Sequence, residues 1–247
     1  MPEKQPHHLF LAWLIFTCLL AFALYVTWHQ GYLALMYAGD KSRISWVITL
    51  LYLYISLHCA WRILTVSRQL NATQVVRKLI TSEQSLKFND RDGRVVINNR
   101  DTLPRSLIAD YIHDLIHKYR TSRNEAYSDN SNDNKDLIEV YESRLKGQHE
   151  IGWFVSDLMI KLGLLGTIVG FVLMLGSVAN VTDFDVSTMQ TILKKMSTGM
   201  GTALYTTFAG LICSILTAMQ YYMLDQASEE ILETTKHLSQ VYVLPRL

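Results

Sequence analysis

Four long apolar runs, none containing Asp, Glu, Lys or Arg, constrain this chain more than any other feature. They are Leu9–Thr27, Ile44–Trp61, Leu162–Ala179 and Ala203–Met223. A helix rises ~1.5 Å per residue, so about 20 apolar residues are needed to cross the ~30 Å hydrocarbon core of a membrane. Each run is close to that length. The sequence therefore predicts an all-α polytopic membrane protein with four transmembrane helices. The first run lacks a small-x-small cleavage site, so we expect a membrane helix there and not a signal peptide.

The strongly polar stretch between the second and third runs predicts three parts. Residues 1–64 would form two N-terminal transmembrane helices, 65–135 a cytoplasmic loop domain, and 136–247 a channel-forming pair of long helices with cytoplasmic extensions. From Asp136 the apolar periodicity predicts one helix of about 40 residues, and the fourth run continues as a helix beyond Met223. We expect residues 121–135 to be a solvated linker.

Two smaller elements are predicted inside the loop. Leu86–Ile97 has the pattern of a β-hairpin with Asp92-Gly93 at its turn. Leu103–Arg120 has a helical apolar stripe, in which Ile108, Tyr111, Ile112, Leu115 and Tyr119 recur on one face.

Lys and Arg are unevenly distributed between the connectors. The short connector after the first run holds only Lys41 and Arg43, whereas many basic residues follow the second run, starting at Arg62. The positive-inside rule therefore predicts that the large loop and both termini are cytoplasmic. Lys194 and Lys195, in the outer loop that this topology implies, oppose it but are outnumbered.

Several classes of function have no support in the sequence. A net charge of +1 without a basic, aromatic-rich stripe argues against nucleic-acid binding. No phosphate-binding loop, nucleophile elbow or dinucleotide fingerprint is present, so we expect no enzyme activity. His113 and His117 lie one helical turn apart, but no third ligand is identifiable, and we expect no metal site. His58 is expected to pack near the membrane interface.

Small residues recur at helical spacing in the last two runs. They are Gly163, Gly166 and Gly170 in the third run, and Gly199, Ala203 and Gly210 at the fourth. Such residues let helix backbones approach closely in lipid. Tight packing alone would explain them, but threonines share these faces, which favours a surface for ion conduction or for docking a partner helix. Neither apolar run, Leu162–Ala179 or Ala203–Met223, contains a carboxylate. The surface formed by these small residues and threonines, called the seam below, therefore cannot itself supply an ion-binding charge.

Asp157 and Lys161 form an i, i+4 pair where the third run begins. The simpler interpretation is a surface ion pair of small energy. The alternative is an electrostatic gate at the cytoplasmic mouth of a channel.

Two segments resemble the MotA/TolQ/ExbB proton channel family. Residues 162–170 read LGLLGTIVG, which is similar to the LGLLGTVxG segment of the family. Residues 199–211 read GMGTALYTTFAGL and resemble its G-x-x-x-A-L-x-x-T-x-x-G-L helix. With the flanking helices, the resemblance covers about residues 136–240.

This resemblance implies the ion-conducting A subunit, or stator, of an inner-membrane motor. Such subunits form a homopentamer in the lipid around a dimeric, single-span partner of the MotB, TolR or ExbD type, whose membrane Asp binds the ion. Thr167 and Thr207 match the threonines that face this Asp, and the small residues match positions that admit the partner helix. No cofactor is implied beyond the transported H⁺. Thr206 stands where sodium-driven stators have Thr, which makes Na⁺ an alternative.

The departures from the family pattern leave the driven process open. TolQ and ExbB subunits carry Glu at the position of Thr202 and usually Pro near Ile160, and both are missing here. Four spans favour the MotA side, yet the charged motif that engages a flagellar rotor has no counterpart. Envelope transport, motility and defence all remain open. A function of another class is a non-conducting membrane scaffold that recruits a cytoplasmic partner through the loop.

Overall fold

The computed structural model describes residues 8–82, 88–91, 94–97, 101–102, 106–122, 130–147, 149–176 and 185–246. Seven α-helices lie in these ranges: α1 His8–His29, α2 Tyr32–Gly39, α3 Ile44–Ser82, α4 Leu107–Ser122, α5 Asn130–Lys146, α6 Glu150–Gly176 and α7 Val186–Leu238. A π-helical turn, Ser239–Val243, and a 3₁₀ turn, Leu244–Arg246, continue α7.

Four of the helices are long and apolar enough to cross a membrane. The spans are Leu9–His29, Ile44–Ile80, Glu150–Gly176 and Val186–Val243. Large apolar side chains such as Phe22 point away from the protein, as expected of helices surrounded by lipid. The prediction of an all-α membrane fold with four transmembrane helices is confirmed.

The predicted hairpin is confirmed as part of a small sheet. Strands β1 (Phe88–Arg91) and β2 (Arg94–Ile97) pair antiparallel, with Phe88 opposite Ile97. A third strand, β3 (Asp101–Thr102), pairs with β2 and was not predicted. The predicted Asp92-Gly93 turn lies outside the described residues.

The prediction of one helix from Asp136 into the membrane is wrong, because the chain breaks after Lys146. The Gly147 amide donates to the Ser143 carbonyl over 2.8 Å, and the His149 amide donates to the Lys146 carbonyl over 2.8 Å. Glycine is enriched just beyond helix C-termini and costs about 1 kcal/mol relative to alanine inside a helix. The break also brings the buried His149 ring to Asp225 of α7, at 2.7 Å.

The structure also changes the interpretation of residues 31–43 and 121–135. The first stretch, expected to be a plain connector, contains α2, which begins after Gly31 in the left-handed conformation (φ 78°). The second stretch, expected to be a linker, is already helical from Asn130. Asn and Ser, whose content suggested a linker, are also favoured where a helix begins, because their side chains can cap its free N–H groups.

The described chain forms two compact units. The first comprises Met1–Leu11, Arg62–His149 and Met223–Leu247, and the second comprises Ala12–Trp61 and Glu150–Tyr222. Helices α3 and α7 each contribute to both. The division predicted at residues 64 and 135 is not tested and stays a prediction.

A buried cluster holds the first unit together. The stripe predicted for α4 is confirmed, since Ile108, Tyr111, Ile112 and Leu115 are buried in this cluster. The side chain of Tyr119, predicted in the same stripe, lies outside the described residues. Ile116 of α4 also belongs to the cluster. The remaining members come from α3, α5, α7 and the π-helical turn that continues it: Val76, Ile80, Tyr141, Leu238 and Val243.

Candidate functional site

The glycines of α6 lie directly against α7 within the second unit. A Cβ atom on Gly163 would come within 3.2 Å of the Thr206 carbonyl oxygen. A Cβ on Gly170 would come within 2.6 Å of the Ala203 amide nitrogen, and one on Gly166 would overlap the Thr206 side chain. The two backbones are therefore in the close contact that small residues allow.

The small residues of α7 complete the same contact. A Cβ on Gly199 would come within 2.9 Å of the Gly170 carbonyl oxygen. One on Gly210 would come within 2.7 Å of the Met159 carbonyl oxygen. Ala203 is buried between them. All six residues predicted to admit a partner helix thus pack inside this chain, while their role toward a partner stays a prediction.

Thr206 and Thr207 face this contact, and the hydroxyl of each already donates a hydrogen bond to a backbone carbonyl. Thr206 Oγ1 is fully buried and lies 3.0 Å from both the Thr202 and Ala203 carbonyl oxygens. Thr207 Oγ1 lies 3.1 Å from the Ala203 carbonyl oxygen and 3.3 Å from that of Gly163. A hydroxyl that donates to a carbonyl presents only lone pairs to a third group. Both hydroxyl oxygens are therefore suited to accept a hydrogen bond from a proton donor or to coordinate a cation.

Thr167 is placed differently. Its hydroxyl donates to the Leu164 carbonyl of its own helix over 2.6 Å, on the more exposed side of α6. It makes no hydrogen bond to any part of α7 that the structure describes. Thr206 and Thr207 therefore lie together at the contact between α6 and α7, whereas no hydrogen bond links Thr167 to that contact in the described residues.

Polar side chains continue along the buried face of α7 toward its second half. Ser214 Oγ lies 2.9 Å from Ser156 Oγ of α6. Gln220, which is 1% exposed, donates to Ser56 Oγ of α3 over 3.2 Å. His58 Nδ1 lies 2.9 Å from the Tyr221 hydroxyl, and this contact supports the packing role predicted for His58.

Sequence reasoning missed Ser156 and Gln220 as members of this row. Gln220 follows Thr217 by three residues, which places both on one helix face. That spacing could have identified Gln220. Ser156 gave no comparable signal, because it precedes the glycines of α6 in a half-polar stretch.

The connector between α2 and α3 reaches the first part of the row. Thr202 Oγ1 donates to the Gly39 carbonyl over 3.0 Å and accepts from the Lys41 amide over 3.3 Å. Between them lies Asp40, a buried carboxylate that accepts from the Ser42 amide at 2.9 Å and the Ser45 amide at 2.8 Å.

The ionisation of Asp40 follows from two opposing effects. Burial alone raises the pKa of this carboxyl, but hydrogen bonds from Ser42 and Ser45 outweigh it and hold the pKa below its ordinary value. Asp40 is therefore ionised at neutral pH, in the connector whose neighbouring backbone groups contact Thr202. No sequence feature indicated the contact between Thr202 and Gly39, which lie 163 residues apart.

Asp157 and Lys161 form their predicted ion pair, in the exposed first half of α6. Their side chains are 58% and 68% exposed, so the pair contributes little to stability. A role as a cytoplasmic gate is not tested by this geometry and stays a prediction.

The described residues contain no group of three His, Cys, Asp or Glu side chains that could hold a metal ion. His113 lies beside Asp114, with 3.4 Å between Nδ1 and Oδ1.

Comparison with known proteins gives one result. A family model described as the MotA/TolQ/ExbB proton channel family matches residues 112–237, just over half of the chain. The match covers most of α4, all of α5 and α6, and α7 up to His237. No curated protein and no solved structure matches the chain.

Proposed function

Because the chain belongs to the MotA/TolQ/ExbB proton channel family, we propose that it is the ion-conducting A subunit of a motor that converts ion-motive force into mechanical work. The observation that carries the proposal is the buried row of hydroxyls where α6 meets α7. In this row Thr206 and Thr207 offer acceptor lone pairs within a span of membrane length.

The seam needs a charge from another subunit. From Leu162 to Met223, α6 and α7 contain no carboxylate. A single-span partner of the MotB, TolR or ExbD type would supply a membrane Asp, and its charge would be costly in the low-dielectric interior. Binding of H⁺ or Na⁺ removes that charge. Partner and ring can then step relative to each other, and Thr206 and Thr207 stabilise the ion as it arrives.

The assembly, the membrane and the topology that we propose follow from this assignment. The subunit forms a pentamer in the bacterial inner membrane around a partner dimer, with both termini and the loop in the cytoplasm. Asp157 and Lys161, at the start of α6, would then lie at the cytoplasmic entrance and act as the gate.

One observation favours a second candidate function, a non-conducting scaffold. The faces of closest approach on α6 and α7 are occupied by each other, so glycine packing needs no partner helix. In that case the loop would recruit a cytoplasmic partner and the hydroxyls would only satisfy helix carbonyls.

Ion flux through the purified complex separates the two candidates. The complex would be isolated through a tag on this chain and reconstituted in vesicles under a potassium-valinomycin potential. H⁺ uptake would be followed with a pH-sensitive dye and Na⁺ uptake with the radioactive ion. We expect Thr206→Val and Thr207→Val each to lower the flux about tenfold or more, a loss of ~1.4 kcal/mol of ion stabilisation.

Thr191→Val is the matched control, because the Thr191 hydroxyl also donates to a carbonyl of its own helix, that of Ser187, but is exposed. Its flux should equal that of the wild type. No ion-specific flux from the wild-type complex, or unchanged flux in both seam variants, would favour the scaffold.

A further inference from the structure

Two exposed helix faces of opposite charge occur in the first unit. From Arg62 to Ser82, α3 carries Arg and Lys but neither Asp nor Glu. From Met223 to Glu233, α7 carries four carboxylates and no Lys or Arg. Arg68 on the first face and Glu229 and Glu233 on the second are exposed.

Within the described part of the chain, neither Arg68 nor Glu233 forms an ion pair. Glu229 has only a 3.8 Å contact with Lys146, and both of these side chains are well exposed. These charges are therefore available to a partner.

The two faces lie at the same level of the unit. Val76 and Ile80 of α3 share one buried cluster with Leu238, the last residue of α7, and with Val243 of the π-helical turn that follows it. The C-terminal parts of both helices belong to this unit and their N-terminal parts to the other, so the two helices run in the same direction. The shared cluster sets Val76 near the level of Leu238. Counting back from these anchors at ~1.5 Å per residue, Arg68 falls between the levels of Glu229 and Glu233.

Equal level matters because of ring symmetry. Copies related by rotation about an axis along the membrane normal are not shifted in height, so each copy presents one face to the next and a different face to the previous one. Residues that meet across such an interface lie at the same height. A basic face and an acidic face at one level fulfil this requirement.

We propose that the α3 face carrying Arg68 docks on the α7 face carrying Glu229 and Glu233 of a second copy of this chain. The inference rests on the ring assembly of the proposed function, and it adds the residues that join neighbouring copies. Apolar contact accompanies the charges, since Val75 of α3 and Val241 of the π-helical turn that continues α7 are each about half exposed at neighbouring levels.

Cross-linking between two differently tagged full-length chains tests the contact. One chain carries Arg68→Cys and the other Glu233→Cys, and a short bis-maleimide is added to membranes containing both. We expect a heterodimeric adduct far above that formed by chains with only the native cysteines. Arg77→Cys replaces Arg68→Cys in the control, because Arg77 is exposed on α3 but lies ~13 Å further along the helix.

Charge reversal gives a second, independent readout. Arg68→Glu or Glu233→Arg alone should lower the association constant of each interface about two- to fivefold, the range for exposed ion pairs, and so lower the oligomeric fraction. The two reversals combined in one chain should restore it. Arg77→Glu should leave it unchanged.

The outcomes separate this inference from the proposed function. An oligomer that forms without the Arg68–Glu233 adduct and without rescue overturns the inference but leaves the motor subunit intact. An adduct between two Arg68→Cys chains indicates a two-fold contact and overturns it as well. If Arg68→Glu lowers the oligomeric fraction and the added Glu233→Arg does not restore it, Arg68 binds anionic lipid instead of the second copy. A monomer under every condition overturns both proposals.

Discussion

Replacing Gly170 by alanine tests the contact between α6 and α7 where a Cβ would come closest to the partner helix's backbone. A Cβ on Gly170 would lie 2.6 Å from the Ala203 amide nitrogen and 2.7 Å from the Gly199 carbonyl oxygen. Both are backbone atoms, which cannot rotate aside. Ordinary contacts begin at 3.4 Å, so the helices would have to separate by about 0.8 Å along this line, enough to lose a quarter to a half of the local dispersion energy.

The size of the effect follows from two opposing contributions. Overpacking of this kind costs about 1–3 kcal/mol, and alanine returns up to about 1 kcal/mol of helix propensity. We expect a net loss of about 1–2 kcal/mol, which corresponds to an apparent Tm lower by about 2–8 °C for a chain of this size. The Tm would be measured in detergent by intrinsic fluorescence.

Gly201→Ala is the matched control. A Cβ there meets only the Tyr205 ring, at 3.7 Å, so the gain in helix propensity should keep the Tm equal to or above that of the wild type. A Gly170→Ala protein as stable as the Gly201→Ala protein would refute the close contact.

Two further predictions concern the first unit. Tyr141→Phe removes a 2.6 Å hydrogen bond from the Tyr141 hydroxyl to Asp114 and should cost about 1 kcal/mol in thermal unfolding; an unchanged Tm would contradict the bond. Hydrogen bonds from Lys146 and Lys236 hold the pKa of Glu142 below its ordinary value. The stability from this carboxylate is therefore present above the unfolded pKa, about 4.3, and is lost as pH falls through the lower folded pKa. A Glu142→Gln protein should have a Tm slightly below the wild type at pH 7, by less than ~1 kcal/mol of stability, and the gap should close near pH 3; a gap that widens in acid would contradict the assignment.

The transmembrane spans were predictable because a charge-free run of sufficient length has few alternatives in a membrane protein. The α4 stripe was predictable for a similar local reason, since its 3.6-residue period selects one face. The break after Lys146 was missed because apolar residues continue in phase on both sides of it. Only Gly147 marked the end, and a single glycine is often tolerated inside a helix.

The sequence predicted a close helix contact at the small residues of α6 and α7, but it did not determine which helix makes that contact. Spacing of small residues shows that some helix approaches closely, and it cannot show whether that helix belongs to the same chain. The structure brings Gly166 against Thr206 of the same chain. The contact of Thr202 with the chain around Asp40 had no sequence signal, because it depends on how the connector folds back.

The copy number of the purified complex tests the central claim most directly. Native mass spectrometry in detergent would be performed on the full-length chain, with and without the product of the adjacent gene. A pentamer, formed around a dimer of a small single-span protein with a membrane Asp, is the result expected of an ion-driven motor subunit. A monomer or dimer under both conditions would contradict it.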